Sequence, residues 1–178
     1  MRTVTISIFT GVFAVLLCLY GFKSSSPKGP AEGDMAPEIR LPNANGDTLR
    51  LSSLRGHLVL VHFWASWCPS CRAESKKIVA TYMQYKDKQF KTGTGLVVLY
   101  VSLDQDKNDW LKAIKQDGLS MEYNVSDLKR WQNIAVQTYK VTSVPNNFLI
   151  DGNGKIIDQG QITNYLNDYL KDELLVKR

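Results

Sequence analysis

The sequence has few of the residues that build metal centres or disulfide networks. Its cysteines and histidines are Cys18, Cys68, Cys71, His57 and His62. Three cysteines are too few for a framework of structural disulfides, and a zinc site usually needs four ligands. A c-type haem attachment site would need a histidine directly after Cys71, where the sequence has Arg72. We therefore expect no metal and no haem cofactor.

A strong charge of one sign is also missing. The 22 basic and 17 acidic side chains give a net charge of +5, and they are interspersed without a basic patch rich in aromatic residues. A nucleic-acid-binding surface concentrates basic residues on one face. This pattern therefore indicates a solvated surface and no nucleic-acid partner. Weak attraction to anionic lipid headgroups is the alternative.

One long hydrophobic run is present, at the N-terminus. The chain is uncharged and mostly apolar from Val4 to Phe22, about nineteen residues, which is enough for a helix to cross a bilayer. The run is longer than the roughly 7–15 apolar residues of a signal peptide, and no small-x-small cleavage site lies near Lys23. We therefore interpret residues 1–23 as an uncleaved signal anchor, with a cleaved signal peptide as the alternative. Cys18 follows the large residue Leu17, so it does not fit a lipoprotein signal.

The charge next to this run predicts its orientation. The amino terminus and Arg2 favour a cytoplasmic N-terminus, which places the rest of the chain on the extracytoplasmic side of the membrane. Residues 24–34 are rich in Ser, Pro and Gly, so we expect a flexible linker. Residues 35–178 are long enough for one globular domain.

Hydrophobic periodicity in this domain predicts strands alternating with helices. A hairpin is expected at 38–51 around Asn45-Gly46, and a buried central strand at 57–64. The next helix runs from Cys68 to about Lys86. The residues predicted for its inner face are Ile78, Val79, Tyr82 and Met83. The later elements are a strand at 96–103, a helix at 108–116 ended by Gly118, a short strand near 121–125, a helix at 128–139, strands at 147–151 and 155–158, and a closing helix at 165–174.

The cysteine pair follows the apolar run from Leu58 to Trp64. Cysteines separated by two residues can form a disulfide only where the backbone turns, and the first turn of a helix supplies that geometry. Pro69 suits the first helical position, where its missing N–H costs nothing. The free N–H groups and the helix dipole favour an anion there, so Cys68 should ionise readily. We interpret Cys68 as the attacking nucleophile and Cys71 as the resolving thiol.

The stretch from Phe63 to Glu74, with the sequence FWASWCPSCRAE, resembles the thioredoxin superfamily. More narrowly, it is similar to the membrane-anchored thiol–disulfide oxidoreductases of the TlpA/ResA/DsbE type. The resemblance extends from about Gly33 to the C-terminus. It implies an α/β thioredoxin fold with an added N-terminal β-hairpin, a helical insert and a preceding membrane helix.

The resemblance also implies how a substrate binds. Proteins of this superfamily place a cis-proline beside the cysteine pair, and Pro145 lies at the matching position. The backbone of Val144 would then pair with an extended substrate. Trp67 would shield the disulfide and contact the substrate, with plain packing as the alternative.

Two further residues could tune the thiols. Glu74 lies three residues after Cys71, hence on the same helical face, and the related proteins carry an acid here. Its carboxylate would adjust the pKa of the thiol or relay a proton. A helix-terminal acid without catalytic effect is the alternative. His62 stands where cytoplasmic thioredoxins have a buried aspartate, and it is either a base for Cys71 or a core histidine with satisfied hydrogen bonds.

The resemblance implies an extracytoplasmic protein-disulfide reductase that needs no cofactor beyond its own redox-active disulfide. Its partners would be protein disulfides, possible substrates including apocytochrome c during cytochrome c maturation, and a thiol reductant in the membrane. A copper-handling module on the same fold is the alternative, although it would use CxxxC and a later histidine. A peroxidase would need threonine where Ala65 stands. A permanent structural disulfide is disfavoured because so small a loop removes little chain entropy.

Overall fold

The computed structural model describes residues 28–175. The predicted membrane helix at residues 1–23 lies outside this range, and within the range no helix is both long and apolar enough to cross a bilayer. The end of the predicted linker pairs with the folded domain. The Gly33 N–H donates to the Ile156 carbonyl at 2.8 Å, and the Ile156 N–H donates to the Asp34 carbonyl at 2.9 Å. The domain limits themselves stay a prediction.

The described chain alternates short strands and helices. The strands are β1 (Arg40–Pro42), β2 (Thr48–Arg50), β3 (Leu58–Trp64), β4 (Gln89–Phe90), β5 (Gly93–Thr94), β6 (Leu96–Ser102), β7 (Asn124–Val125), β8 (Asn146–Ile150) and β9 (Ile156–Gly160). The α-helices are α1 (Pro69–Tyr85), α2 (Lys107–Asp117), α3 (Ile134–Tyr139) and α4 (Leu166–Glu173). Short 3₁₀ turns span Leu51–Leu54, Arg130–Gln132 and Ile162–Asn164.

Five strands form the central sheet in the order β7-β6-β3-β8-β9. Strand β3 lies at the centre, parallel to β6 and antiparallel to β8, and all seven of its residues are buried. The parallel β3-α1-β6 unit followed by the antiparallel β8-β9 pair and α4 is the predicted thioredoxin fold, which is confirmed. Strand β7 and helices α2 and α3 fill the insert between these two units.

Successive residues of β3 face opposite sides of the sheet, as the pleat requires. His62 bonds to Ser75 of α1, whereas Phe63 contacts Tyr139 of α3 at a ring-centroid distance of 5.6 Å. The ring of Phe148 in β8 packs on the same side, with its centroid 4.9 Å from that of Tyr139. Helices therefore cover both faces, which explains why β3 is apolar almost throughout.

The predicted N-terminal hairpin is confirmed. Strands β1 and β2 pair antiparallel, and Gly46 in the connecting turn has φ +101°, a conformation that favours glycine. Gly118 likewise ends α2 in the left-handed region, with φ +67°. The small β4–β5 hairpin was not predicted, because its two-residue strands carry no alternating pattern.

Two local predictions are wrong. Residues 128–139 do not form one helix: Leu128 and Arg130 have φ of 59° and 53°, and α3 begins only at Ile134. Asn133 starts this helix because its Oδ1 accepts the N–H groups of Ala135 and Val136. The second wrong prediction is that Met83 lies on the inner face of α1. Met83 is 60% exposed, since the buried stripe continues from Ile78 through Tyr85 instead.

Candidate active site

The cysteine pair lies where strand β3 gives way to helix α1. Cys68 is the N-cap of α1 with extended backbone, and Pro69 follows at the first helical position. The two cysteines form a disulfide, with their Cα atoms 5.3 Å apart. The Cys71 N–H donates to the Cys68 sulfur at 3.1 Å. Cys68 keeps 6% of its surface exposed and Cys71 keeps none, so the predicted placement of an outer and an inner sulfur is confirmed.

A buried carboxylate fixes the loop before the cysteines. Asp104, 1% exposed, accepts the Ser66 N–H at 3.1 Å and the Ser66 hydroxyl at 2.6 Å. It also accepts the Ser102 hydroxyl at 2.7 Å. Asp104 was not predicted, although an acid two residues after a buried strand such as β6 was a usable signal. These hydrogen bonds fix the position of Ser66, and thereby the positions of Trp67 and Cys68, which follow it in the chain.

Trp67 presents its ring at the surface beside the disulfide. The side chain is 45% exposed, and the guanidinium carbon of Arg130 lies 5.1 Å from its ring centroid. Such a cation–π contact orients both side chains. Arg130 was not predicted, because the left-handed backbone that brings it there depends on the turn around residues 128–132. The remaining exposure leaves part of the Trp67 ring available to a partner.

The segment before β8 lies next to the Cys68 sulfur. The Val144–Pro145 peptide bond is cis, as the resemblance implies. The Val144 carbonyl oxygen lies 3.9 Å from the Cys68 sulfur, and both residues of this peptide are partly exposed. The predicted residues Trp67, Val144 and Pro145 thus form one rim around Cys68.

A buried polar network adjoins the helix that carries the cysteines. The Nδ1 atom of His62 lies 2.7 Å from the Asn147 Oδ1, and its Nε2 lies 3.2 Å from the Ser75 hydroxyl. The Asn147 Nδ2 donates to Glu74 Oε1 and to the Gly160 carbonyl, each at 2.8 Å. Glu74 is 14% exposed and 3.9 Å from His62 Nδ1. Glu74 and His62 were predicted from the sequence, whereas Asn147, which connects them, and Ser75, which bonds to His62, were not.

Comparison with known proteins identifies the family. Residues 32–159 match the AhpC/TSA family. The chain belongs to this family. It is 31% identical over 176 residues to the thiol-disulfide oxidoreductase ResA of Bacillus thuringiensis (strain Al Hakam), with 96% of this chain and 93% of that protein covered.

Solved structures show the same relationship. The thioredoxin domain of a thiol-disulfide oxidoreductase from Bacteroides vulgatus matches with a TM-score of 0.70 and 30% identity, over 80% of this chain and 96% of that one. A Chlorobium tepidum protein described as thiol:disulfide interchange protein DsbE matches with a TM-score of 0.69 and 30% identity, over 80% and 97%. The predicted resemblance is confirmed: this AhpC/TSA-family protein is a thiol–disulfide oxidoreductase with a CxxC pair.

His62 is held neutral in this AhpC/TSA-family protein. Its complete burial lowers the pKa of the imidazole below the ordinary 6.5, outweighing the hydrogen bond to Asn147 and the charge of Glu74, which act in the opposite direction. Both ring nitrogens have partners that are not cysteines. The structure therefore joins His62 to Glu74 through Asn147, and the predicted role as a base for Cys71 stays a prediction.

Arg72, the residue after Cys71, ties α1 to α2. Its guanidinium donates two hydrogen bonds to the Asp117 carboxylate, of 2.5 and 2.9 Å, and a third to the Gln116 side chain at 3.0 Å. The hydrogen bond to Asp117 raises the pKa of Arg72. Asp117 is almost fully buried, while Arg72 is 28% exposed. This pair fixes the first turn of the CxxC helix against its neighbour.

No metal centre is found in the part of the chain that the structure describes: residues 28–175 contain no group of three or more His, Cys, Asp or Glu side chains close enough to hold an ion. The expectation that the enzyme needs no cofactor beyond its disulfide stays a prediction.

Proposed function

We propose that this protein reduces disulfide bonds of extracytoplasmic proteins. The Cys68 thiolate attacks one sulfur of the substrate disulfide, forms a mixed disulfide and releases the other sulfur as a thiolate that takes up a proton. The Cys71 thiolate then attacks Cys68, which frees the second substrate thiol and leaves the Cys68–Cys71 disulfide. Two electrons pass from the enzyme dithiol to the substrate.

The asymmetry of the two sulfurs is the observation that carries this proposal. Cys68 combines the helix N-cap position with residual exposure, and a thiolate there is stabilised by the free N–H groups of the first turn. Cys71 is inaccessible from solvent but bonded to Cys68. An incoming disulfide can reach only the first sulfur, and the second can complete the exchange.

The rim around Cys68 supports a peptide substrate. An extended segment carrying the disulfide would pair with the backbone of Val144, next to Pro145, and lie against the exposed ring of Trp67. The 3.9 Å between the Val144 oxygen and the Cys68 sulfur fits this arrangement, because it places a backbone acceptor beside the attacking atom.

Glu74 supplies a negative charge near the dithiol in this proposal. An ionised carboxylate disfavours a second negative charge nearby, so it raises the pKa of the Cys68 thiol and opposes the helix dipole. A higher thiol pKa makes the dithiol a stronger reductant. A protonated Glu74, which would donate to the thiolate instead, is the alternative that the same measurements distinguish.

The proposed setting is the bacterial cell envelope. Residues 1–23 would anchor the chain in the inner membrane, and the domain would face the periplasm or its equivalent. A membrane thiol reductant would return the Cys68–Cys71 disulfide to the dithiol. The narrower proposal is that apocytochrome c is among the substrates, since the resemblance implies a role in cytochrome c maturation.

The reduction potential of the cysteine pair tests the proposed direction. The purified full-length chain is equilibrated with glutathione buffers, and the fraction of disulfide is measured after alkylation. We expect a potential close to that of the reductant thioredoxin, about −270 mV. A value near that of the oxidant DsbA, about −120 mV, would contradict the reductase proposal and indicate a disulfide donor.

A further inference from the structure

The side chain of Asn147 connects Glu74 of the CxxC helix to the buried His62 of strand β3. Asn147 lies directly opposite His62 in the β3–β8 register and is fully buried. Its amide makes three hydrogen bonds, one through Oδ1 to His62 and two through Nδ2 to Glu74 and to the Gly160 carbonyl. Because the residue is two positions after Pro145, it also belongs to the segment that lines the substrate rim.

The orientation of this amide is fixed by its partners. The Gly160 carbonyl can only accept, and an ionised Glu74 can only accept, so the NH₂ group must face both. The carbonyl oxygen of the amide then faces His62, whose Nδ1 must donate. His62 is therefore a neutral ring that carries its proton on Nδ1, and its Nε2 accepts a hydrogen bond from the Ser75 hydroxyl.

We propose that Asn147 is a positioning residue for Glu74, holding its carboxylate against the sheet, three residues after Cys71, instead of in solvent. His62 and Gly160 act behind it by keeping the NH₂ group turned toward Glu74. Two consecutive residues of α1, Glu74 and Ser75, are thereby fastened to the sheet. This proposal rests on the proposed function in one respect, the influence of Glu74 on the Cys68 thiol.

The tautomer of His62 tests the geometry in the unaltered protein. We use ¹⁵N NMR of the full chain, assigning the two histidine signals with His57→Gln. The expected result is a neutral ring with the proton on Nδ1 at pH 7 to 8. A ring protonated on Nε2 would mean that the Asn147 amide presents its oxygen to Glu74, which overturns the proposal whatever the thiols do.

A double-mutant cycle tests the consequence for the thiol. The pKa of Cys68 is measured from thiolate absorbance in the reduced protein, for Asn147→Leu in the wild-type and Glu74→Gln backgrounds. We expect Asn147→Leu to lower this pKa in the wild type and to cause no further shift when Glu74 is Gln. An equal shift in both backgrounds would show that Asn147 acts without Glu74 and would overturn the proposal.

The other charges near the cysteine pair, on Arg72, Asp104, Asp117 and Arg130, are the same in both backgrounds, so their influence cancels. Asn146→Leu, at the neighbouring strand position outside the network, is the matched control and should leave the pKa unchanged. If Asn147→Leu does not fold, Asn147→Ala replaces it, because it removes both amide donors without adding a charge. An unchanged pKa in Glu74→Gln alone would count against the role of Glu74 in the proposed function, and the His62 tautomer then decides the positioning proposal.

Discussion

At the scale of single residues, the site divides into positions that the local sequence specifies and positions that only the fold brings together. Cys68, Pro69 and Cys71 were predictable, because a helix start, a proline and a two-residue spacing act within one turn. Asn147 was not, because Glu74 and His62, the side chains that it bonds to, are 73 and 85 residues away in the chain. Sequence periodicity does not predict side-chain contacts between residues so far apart in the chain.

The exposed ring of Trp67 should contribute to the binding of a protein substrate. Trp67→Ala should raise the KM for a protein disulfide about tenfold, a loss of about 1.4 kcal/mol in substrate contact. Turnover of a small disulfide such as hydroxyethyl disulfide should change little, because it does not reach the ring. Steady-state kinetics with both substrates measures the difference.

Tyr165→Ala is the matched control for this substitution. Tyr165 is an aromatic residue with nearly the same exposure, 46%, but it precedes α4 and is not part of the rim around Cys68. Its loss should leave both KM values unchanged. If Trp67→Ala impaired the reaction with the protein and with the small disulfide equally, the ring would affect the reactivity of the Cys68–Cys71 pair and would not bind the protein substrate.

At the scale of elements, hydrophobic pattern predicted the buried strands, the CxxC helix and helix α2, but not the segment that precedes α3. Strands β3 and β6 are continuous apolar runs, so they were placed within a residue or two. The insert around residues 127–133 is shaped by short polar side chains. Asp127 accepts the N–H groups of Lys129 and Ile134, and Asn133 caps α3, which breaks the predicted long helix.

The Arg72–Asp117 pair carries the prediction for helix α1. Arg72→Met leaves the buried Asp117 carboxylate without its two charged donors, and breaking a buried pair is strongly destabilising. Since Arg72 itself is partly exposed, we expect a loss of about 2 kcal/mol in the free energy of unfolding. Urea denaturation of the oxidised protein measures it.

Lys171→Met is the control for this pair, because it removes an ion pair that is exposed on both sides, with Asp168 in α4. That change should not alter the unfolding midpoint measurably. If the two variants were equally stable, Arg72 would be an ordinary surface residue and α1 would be held by apolar packing alone.

At the scale of the whole molecule, the buried His62 makes stability depend on pH. Its pKa is lowered in the folded state, so below pH 6.5 the unfolded chain binds a proton that the native protein does not. The free energy of unfolding should therefore fall as the pH drops from 6.5 toward 5, by at most about 1.4 kcal/mol per pH unit. This contribution is fully present above pH 6.5.

Denaturation at a series of pH values measures this slope. His62→Gln, which cannot titrate, should flatten it between pH 5 and 6.5, while His57→Gln should retain it. His57 is the suitable control because it is the other histidine of the chain and lies half-buried against the Thr94 carbonyl. A slope that survives in His62→Gln would assign the pH dependence to other groups.

The central claim concerns the order in which the two sulfurs act, and trapping of mixed disulfides tests it most directly. Each cysteine is replaced by serine in the full-length chain, and complexes with a protein disulfide substrate are separated on non-reducing gels. Cys71→Ser should accumulate a covalent complex through Cys68, because attack proceeds and resolution fails. Cys68→Ser should form none and should lack reductase activity. Complexes that accumulate with Cys68→Ser and not with Cys71→Ser would contradict the account.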